Sequence, residues 1–472
     1  MAFLPVALPE YVVKDDETTL SNFEGAKLID CYIDQRGYFR KREGLTLFAD
    51  LSSLKPIDGL FWWDIKNVLI AVSDGRIFKI TDNQGAFTEV TGTDKLQLSS
   101  IVSFTNNATH LVMANGGKMM LYDNSAAPFH VTDANAPINV LKVAHLDRYI
   151  LALEKDSARF WNSAVANAQS WSATGFSLAE NKPDNAISML EAFGEIVMLG
   201  QKSTEFWFNS GIGTPPFRPI KQATLPLGGI AGDTLVDAAG SIMWFDNLRR
   251  IIKLDGRTPK PIESLIANEL KGLTPVTDSR AHFMNIGNRA LYVLTIPSND
   301  KTYVYDIITG IWVEFGEWHN QTGNWDEWLG RTYVYSPKWD LHLTGSKKTG
   351  KIYKIDKDNY QDEGNPIRSL IRTGHNNHKT NGRKTISELR IKMLREAGGT
   401  SGNEPVIQIR WKDDNKGWGN WRQVSMGKLG ESEFFARIYR LGQYRTRQYE
   451  IVHSDNSDFI FVGMEEDVEF DA

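Results

Sequence analysis

Short apolar segments recur along most of the chain at a nearly constant interval, and this periodicity constrains the fold more than any other feature. Seven such segments, each five residues long, begin 39 to 51 residues apart. A repeat of this length is a supersecondary unit that has to stack on its neighbours to bury its apolar faces. The segments are Val68–Val72, His110–Ala114, Tyr149–Leu153, Glu195–Leu199, Ser241–Phe245, Ala290–Leu294 and Leu341–Gly345.

A second apolar segment follows each of these after a short connection, which indicates a β-hairpin. The turns contain residues that tolerate a positive φ, as in Ser73–Gly75 and Asn115–Gly117. Several repeats add a further short strand, such as Phe87–Val90. The second segments are Arg76–Ile80, Lys118–Tyr122, Ala158–Trp161, Thr204–Phe208, Arg250–Leu254, Thr302–Tyr305 and Lys351–Ile355.

Four short strands per ~40–50 residues is the period of a β-propeller blade. We therefore predict an all-β protein with a β-propeller of six or seven blades over residues 51–360. The WD and kelch signatures of other propeller repeats are missing from the sequence. The prediction therefore depends on the period and on the strand pattern.

The two ends of the chain follow a different pattern. Residues 1–50 are mixed in character and predict an N-terminal arm, whereas residues 361–384 are polar and loop-like. Beyond them, apolar and polar residues alternate, which is typical of half-buried antiparallel strands. Residues 361–472 therefore predict a C-terminal antiparallel β-sheet or β-sandwich domain. The alternating segments are Leu389–Met393, Val406–Trp411, Trp421–Val424, Phe435–Tyr439, Gln448–Val452 and Phe459–Gly463.

Charge and cysteine content limit the classes of function. The formal charge of −5 and the pI near 6.0 disfavour a protein that grasps nucleic acid, although a mildly acidic pore lets DNA slide. Cys31 is the one cysteine, which excludes a disulfide framework and a cysteine-rich zinc site. The N-terminus lacks the basic region of a signal peptide, and no run approaches the ~18 apolar residues that span a bilayer. We expect a soluble protein made in a reducing cytoplasm.

The segment Asp413–Trp421 reads D-x-x-x-G-x-x-x-W, close to the Asp-box turn of sialidases. One interpretation is a glycosidase propeller, which would also need three convergent arginines and a Tyr–Glu pair. The other is a hairpin turn in which the aspartate caps backbone N–H groups and the tryptophan packs on the strand behind. The segment occurs once and outside the repeats, which favours the turn.

Other candidate sites are also weak. His375 and His378 have the spacing of a metal-ligand pair, but they lie in an Asn/Gly-rich segment without a nearby third ligand, which favours a solvated loop. A loop tip that touches a neighbouring subunit or a DNA phosphate is the alternative. The run Gly228–Gly232 lacks the strand–GxGxxG–helix setting of a nucleotide site and is interpreted as a turn. There is no G-x-S-x-G elbow, and Cys31 has no catalytic context. We predict no catalytic residue, cofactor or metal, and a protein that is not an enzyme.

Two groups of basic residues invite a phosphate-binding interpretation, and ion pairs between subunits are the alternative. The first group is the run Arg40–Arg42. In the second, strand alternation places Arg437 with Tyr439 on one face, opposite Ile438 and Arg440. The second group comprises Arg437, Arg440, Arg445 and Arg447, and the acidic segment available for ion pairs contains Glu465, Glu466, Asp467, Glu469 and Asp471.

Several segments resemble the packaged-DNA stabilisation or tail hub (nozzle) proteins of short-tailed bacteriophages. The resemblance at the C-terminal end lies in Arg410–Trp421, Gly427–Gly430 and Arg437–Arg445. At the N-terminal end, Asp30–Asp34 and Gly37–Gly44 resemble an Asn-x-Tyr-x-Glu…Tyr-Leu-Arg-x-Arg-Pro-Gly element. There the chain has Glu43 in place of the expected proline.

This resemblance implies a structural virion protein of the phage tail. It implies a ring, hexameric in this family, that docks below the portal and adaptor and extends the DNA channel. Such a ring retains packaged double-stranded DNA, mediates its ejection and carries fibre, spike or needle proteins. The rival hypothesis is a carbohydrate-binding or glycosidase-type propeller at the tail tip. The tryptophans of Glu317–Trp325 and Trp328 are able to stack on sugars, but closing blades or a contact between subunits is the favoured role.

Overall fold

The computed structural model describes residues 2–6, 8, 25–179, 182–263, 266–394, 404–414, 416–427 and 433–470. Within these residues the regular secondary structure consists almost wholly of β-strands, as predicted. One α-helix, α1 (Ala267–Gly272), and three short 3₁₀-helices at Lys221–Ala223, Gly232–Thr234 and Pro297–Asn299 complete the regular structure of the described part. No helix in these ranges is long and apolar enough to cross a membrane.

The strands up to the middle of the chain are β1 (Ala2–Pro5), β2 (Lys27–Ile29), β3 (Cys31–Ile33), β4 (Phe39–Lys41), β5 (Gly44–Asp50), β6 (Ile57–Trp63), β7 (Val68–Ser73), β8 (Arg76–Ile80), β9 (Phe87–Glu89), β10 (Ser103–Asn106), β11 (Leu111–Ala114), β12 (Met120–Tyr122), β13 (Phe129–His130), β14 (Val140–Leu146), β15 (Tyr149–Glu154), β16 (Arg159–Ala164), β17 (Asn167–Leu178), β18 (Ala186–Ala192), β19 (Glu195–Gly200), β20 (Thr204–Asn209), β21 (Phe217–Pro219), β22 (Val236–Ala238), β23 (Ser241–Phe245), β24 (Ile251–Asp255) and β25 (Thr258–Pro261).

The remaining strands are β26 (Arg280–Ile286), β27 (Arg289–Ile296), β28 (Lys301–Asp306), β29 (Ile311–Glu314), β30 (Gly316–His319), β31 (Asn324–Glu327), β32 (Gly330–Ser336), β33 (Leu341–Ser346), β34 (Lys351–Asp356), β35 (Gln361–Asp362), β36 (Asn365–Pro366), β37 (Ser369–Arg372), β38 (Lys384–Leu394), β39 (Val406–Asp413), β40 (Arg422–Ser425), β41 (Glu433–Tyr444), β42 (Arg447–His453) and β43 (Ile460–Phe470).

The chain forms two compact units that are each assembled from separate segments. One unit contains residues 47–300 and 327–354, and the other contains residues 1–46, 301–326 and 355–472. This grouping does not follow the consecutive division into 1–50, 51–360 and 361–472, because 301–326 belongs with the terminal segments. That consecutive division stays a prediction for the domain boundaries.

The unit of residues 47–300 and 327–354 is a β-propeller. Five four-stranded antiparallel sheets follow one another, namely β6–β9, β10–β13, β14–β17, β18–β21 and β22–β25. The hairpin β26–β27 and the strands β32–β34 come next. The first strands β6, β10, β14, β18, β22, β26 and β32 neighbour one another in that order, and β32 returns to β6. Among the described residues, the ring therefore has seven members.

The apolar repeat in the sequence corresponds to the second strand of each sheet. All residues of β7 and of β27 are buried, because neighbouring sheets cover both of their faces. A strand that is buried on both faces is a continuous apolar run instead of an alternating one. The core lies between consecutive sheets: Val72 and Met113, for example, share one apolar cluster, as do Leu153 and Met198.

The ring closes between its first and last sheets. The N–H of Leu51 donates to the carbonyl of Gly350 (2.9 Å), and the N–H of Gly350 donates to that of Ser53 (2.8 Å). Leu51 packs in one cluster with Leu343 and Ile352. The segment that leads from β5 into the first sheet thus pairs with the edge of the last sheet, and it holds the two ends of the ring together.

The second unit contains two sheets. One has the order β3-β4-β43-β38-β41, with β1 on the other part of β43. The other has the order β28-β29-β2-β37-β42-β39-β40 and is antiparallel except at β2–β29. The segments predicted to form C-terminal strands do form strands that pair antiparallel with one another, and strands from residues 1–46 and 301–326 complete the two sheets. The hairpins β30–β31 and β35–β36 are also present.

Candidate functional site

The basic run Arg40–Arg42 forms internal ion pairs, so the phosphate-binding interpretation of this run is wrong. The side chain of Arg42 is 2% exposed, and its Nε donates to Asp30 Oδ1 at 2.7 Å. Its Nη1 and Nη2 donate to the two carboxylate oxygens of Asp362 at 2.9 and 2.5 Å. Arg40 Nε contacts Asp34 Oδ2 at 3.0 Å. These guanidinium groups already have carboxylate partners within the chain.

The same cluster contains groups whose ionisation is perturbed. Lys41 is 2% exposed, and its Nζ donates to the carbonyl of Asp455 at 2.7 Å. Burial and the neighbouring Arg42 lower the pKa of Lys41 to about 7. Burial raises the pKa of Asp30 to about 6, although Arg42 opposes the shift. Cys31 is buried, its Sγ contacts the Leu370 carbonyl at 3.5 Å, and burial raises the pKa of its thiol.

The N-terminal segments that carry the family resemblance form a hairpin made by β3 and β4. Asp34 Oδ1 accepts the N–H groups of Arg36 (2.9 Å) and Tyr38 (3.0 Å) and thereby fixes the turn. The strands on either side of this turn place Asp30 beside Arg42. The polar pattern in this element thus specifies a turn and a buried ion pair.

The C-terminal basic residues lie in different environments. Arg437, Arg440 and Arg445 are exposed, whereas Arg447 is fully buried. Arg437 and Tyr439 share the exposed face opposite Ile438, as alternation predicts, but Arg440 is exposed as well. A positive φ of 61° at Arg440 and a register shift between β38 and β41 explain this difference, because a bulge turns the following side chains.

A buried polar cluster, the Glu466 cluster, lies between β42 and β43. Glu466 Oε2 accepts a hydrogen bond from Tyr444 (2.6 Å), and Oε1 accepts one from Tyr449. His378 Nε2 lies 2.6 Å from the same carboxylate, and Arg447 Nη1 lies 3.9 Å away. The His378 side chain is only 5% exposed, so the expectation of a solvated loop at this position is wrong. The loop is held inward because a buried carboxylate needs partners.

The side chain of Arg447 links this cluster to the segment that resembles an Asp-box. Its Nε and Nη2 contact the two oxygens of Asp413 at 2.6 and 3.0 Å. The neighbouring Asp414 accepts the N–H groups of Arg445 (2.7 Å) and Thr446 (2.9 Å) through Oδ1. The predicted cap is therefore wrong for Asp413, whose carboxylate forms an ion pair, and the N–H groups that Asp414 accepts belong to the turn between β41 and β42.

Tryptophans of the segments Glu317–Trp325 and Arg410–Trp421 meet over one face of the sheet β28-β29-β2-β37-β42-β39-β40. Trp325 and Trp421 pack against Ile29, Leu370 and Val452, which lie side by side on adjacent strands. Arginine and tryptophan side chains alternate above this apolar row. We call this set the Trp–Arg ladder, and its members in spatial order are Trp318, Arg368, Trp421, Arg410, Trp418 and Arg372.

Successive members of the ladder make cation–π contacts. From each guanidinium carbon to the adjacent ring centroid, the distances along the ladder are 4.6, 5.6, 4.3, 4.9 and 5.5 Å. All lie within the ~6 Å range of a favourable contact. The buried carboxylate of Glu450 lies beneath and accepts hydrogen bonds from Nε of Arg372 (2.6 Å) and of Arg410 (2.5 Å). Sequence reasoning missed Glu450, although it lies two residues before Val452 on the same strand face.

The remaining predicted sites show no catalytic geometry. Gly228 and Gly229 lie close to other segments of the same chain. A Cβ on Gly228 would lie 2.2 Å from the backbone carbonyl carbon of Gln201. No group of three or more His, Cys, Asp or Glu residues in the described ranges is arranged to hold a metal ion. A cavity of about 710 Å³ is lined by β10, β14 and β18, with Glu191 as the single carboxylate of its lining. A glycosidase normally uses a pair of carboxyl groups, which this cavity does not supply.

These features define a class: an all-β protein that combines a β-propeller with sheets held by buried ion pairs. The family model described as "Bacteriophage P22 Gp10, beta-propeller" matches residues 27–360. The chain belongs to this family. It is therefore a structural protein of a bacteriophage and a component of the virion. No curated protein matches the sequence.

Several solved structures are similar to the chain at low identity. The computationally designed Ika8 protein is 12% identical, with a TM-score of 0.39, over 67% of this chain and 99% of that one. The Pan2 WD40 domain of Neurospora crassa is 9% identical, with a TM-score of 0.42, over 67% and 96%. YCF48 bound to D1 peptide is 11% identical, with a TM-score of 0.40, over 67% and 96%.

Proposed function

We propose that this protein is the tail hub, or nozzle, of a short-tailed bacteriophage. Copies of the chain form a ring, hexameric by the family resemblance, below the portal and adaptor. The ring extends the DNA channel, retains the packaged double-stranded DNA and mediates its ejection. Fibre, spike or needle proteins attach below it. The observation that carries the proposal is the family match over residues 27–360.

The physical character of the chain supports a structural role. A closed propeller presents several faces for contact and has no free sheet edge at the ring closure, where Leu51 and Gly350 pair. A head-to-tail contact between identical subunits forms a ring with a central pore when the rotation from one subunit to the next closes on itself. The net charge of −5 suits a channel through which DNA slides without binding to the wall. We propose no enzymatic activity, cofactor or metal for this role.

Two experiments test the proposal. Mass photometry and electron microscopy of the purified protein should show a ring with a central pore. Electron microscopy of virions should show the same ring at the tail. A phage that lacks the protein should package DNA and then lose it, measured as DNA accessible to nuclease in full particles. A persistent monomer that is absent from virions would overturn the proposal, as would stable retention of DNA in the mutant particles.

A further inference from the structure

The Trp–Arg ladder has an unfilled position for an anion. Arg372 and Arg410 both bind the Glu450 carboxylate. Arg368 immediately precedes β37 and contacts the Trp421 ring, yet within the described residues it makes no ion pair with an acidic group. Its Nε is buried and has no hydrogen-bond partner there. We propose that the ladder is a docking surface for an acidic segment of a partner protein, in which a carboxylate pairs with Arg368.

The structure indicates the chemistry of the anion. Glu450 shows that the guanidinium groups of this ladder bind a carboxylate, and Arg–carboxylate pairs are strong because the hydrogen bonds are charge-assisted. Arg368 is half-buried between Trp318 and Trp421, at 4.6 and 5.6 Å. Burial and the charge of Arg410 lower the pKa of Arg368, although the charge of Glu450 opposes this shift. An incoming carboxylate in direct contact would favour the charged guanidinium group of Arg368.

The surface is preorganised for protein binding. Arg368 and Arg410 are each held between two rings, so little of their side-chain entropy remains to be lost on association. Trp318, Trp418 and Trp421 are only half-buried and provide apolar contact area beside Arg368. Tryptophan and arginine are the residues that dominate binding energy at protein interfaces.

An acidic protein segment fits better than nucleic acid. The ladder with Lys412, whose Nζ lies 5.4 Å from the Trp418 ring centroid, contains four cations, but Glu450 already neutralises part of this charge. Duplex DNA is bound through many phosphate contacts, and a protein of net charge −5 repels it at long range. A single carboxylate at Arg368 with flanking apolar contacts needs no extended basic surface. The inference does not depend on the ring or on the tail.

The test uses the full chain and a pair of fluorescein-labelled peptides, one rich in glutamate and the other with glutamine at the same positions. Fluorescence anisotropy titrations measure the affinity of each. We expect the wild type to bind the glutamate peptide more tightly. Arg368→Gln should weaken that binding about 10-fold, in line with the loss of one charged contact. The matched control is Arg437→Gln, at an exposed arginine of the other sheet, and should leave the affinity unchanged.

Several outcomes overturn the proposal. If the wild type binds the two peptides with equal affinity, the proposal is overturned. This comparison needs no variant, so it remains decisive even if circular dichroism shows that Arg368→Gln does not fold. Equal weakening by Arg437→Gln assigns the binding to general charge. Binding of duplex DNA that depends on Arg368, without peptide binding, assigns the surface to nucleic acid. Self-association that Arg368→Gln removes assigns it to a second copy of the chain.

Discussion

The Nε2 atom of His378 lies 2.6 Å from Oε2 of Glu466, and neither side chain is more than 5% exposed. Burial opposes the ionisation of Glu466, but the hydrogen bonds from His378 and two tyrosines, with the charge of Arg447, hold its pKa below the ordinary value. The carboxylate is therefore a buried charge whose partners come from three separate segments. Such a charge stabilises the fold only while every partner is in place.

Replacing Glu466 tests this cluster. Glu466→Gln keeps the shape but leaves Arg447 without part of its compensating charge, so the free energy of unfolding should fall by about 3 kcal/mol. Urea denaturation at neutral pH measures the change. Glu465→Gln, one residue earlier and half-exposed, is the control and should change the stability by less than about 0.5 kcal/mol. Equal effects of the two variants would contradict the assigned role.

Arg42 should not tolerate lysine. An ammonium group cannot bind Asp30 and Asp362 at once with the geometry of a guanidinium, so Arg42→Lys should cost about 3 kcal/mol or more of unfolding free energy. Arg36→Lys, whose side chain is 49% exposed, is the matched control and should be nearly neutral. Thermal unfolding followed by circular dichroism distinguishes the two. A neutral Arg42→Lys would show that the buried pairs add nothing.

The buried Lys41 should make the free energy of unfolding rise with pH. Its pKa is about 7 in the folded protein, against 10.5 for an ordinary lysine, because of burial and the nearby Arg42. Between these values the unfolded state binds more protons, so stability increases with pH, by at most about 1.4 kcal/mol per pH unit from this group. Lys41→Met should flatten the rise in urea midpoints measured from pH 7 to pH 9. The exposed Lys95→Met should keep the wild-type slope, and an unchanged slope in Lys41→Met would refute the prediction.

Gly345 tests the closure of the propeller. A Cβ at this position would lie 2.5 Å from the Cβ of Ile57, on the first strand of the ring. Gly345→Ala should therefore push the last sheet from the first and lower the unfolding free energy by about 2 kcal/mol. The control is Gly272→Ala, since a Cβ there meets nothing within 4 Å. If differential scanning calorimetry shows the same melting temperature for both variants, the closure of the propeller does not depend on this contact.

Much of the fold follows from local patterns. A strand buried on both faces has to be apolar throughout, so the seven segments that begin at Val68 were recognisable and correspond to second strands of the sheets. The alternation of Arg437, Ile438 and Tyr439 likewise predicts which side chains are exposed. It fails at Arg440, because a bulge depends on how two strands pair and not on the strand itself.

The sequence by itself determined the repeat, the all-β class and the absence of a recognisable catalytic motif, because these depend on residues near one another in the chain. Only the tertiary structure decided the number of sheets in the ring and the partners of the buried charges. Arg42 and Asp362 are 320 positions apart, and a basic run has the same sequence whether it faces solvent or a carboxylate. The cost of burying a charge without a partner makes such pairs obligatory once the chain is folded, but nothing local identifies the partner.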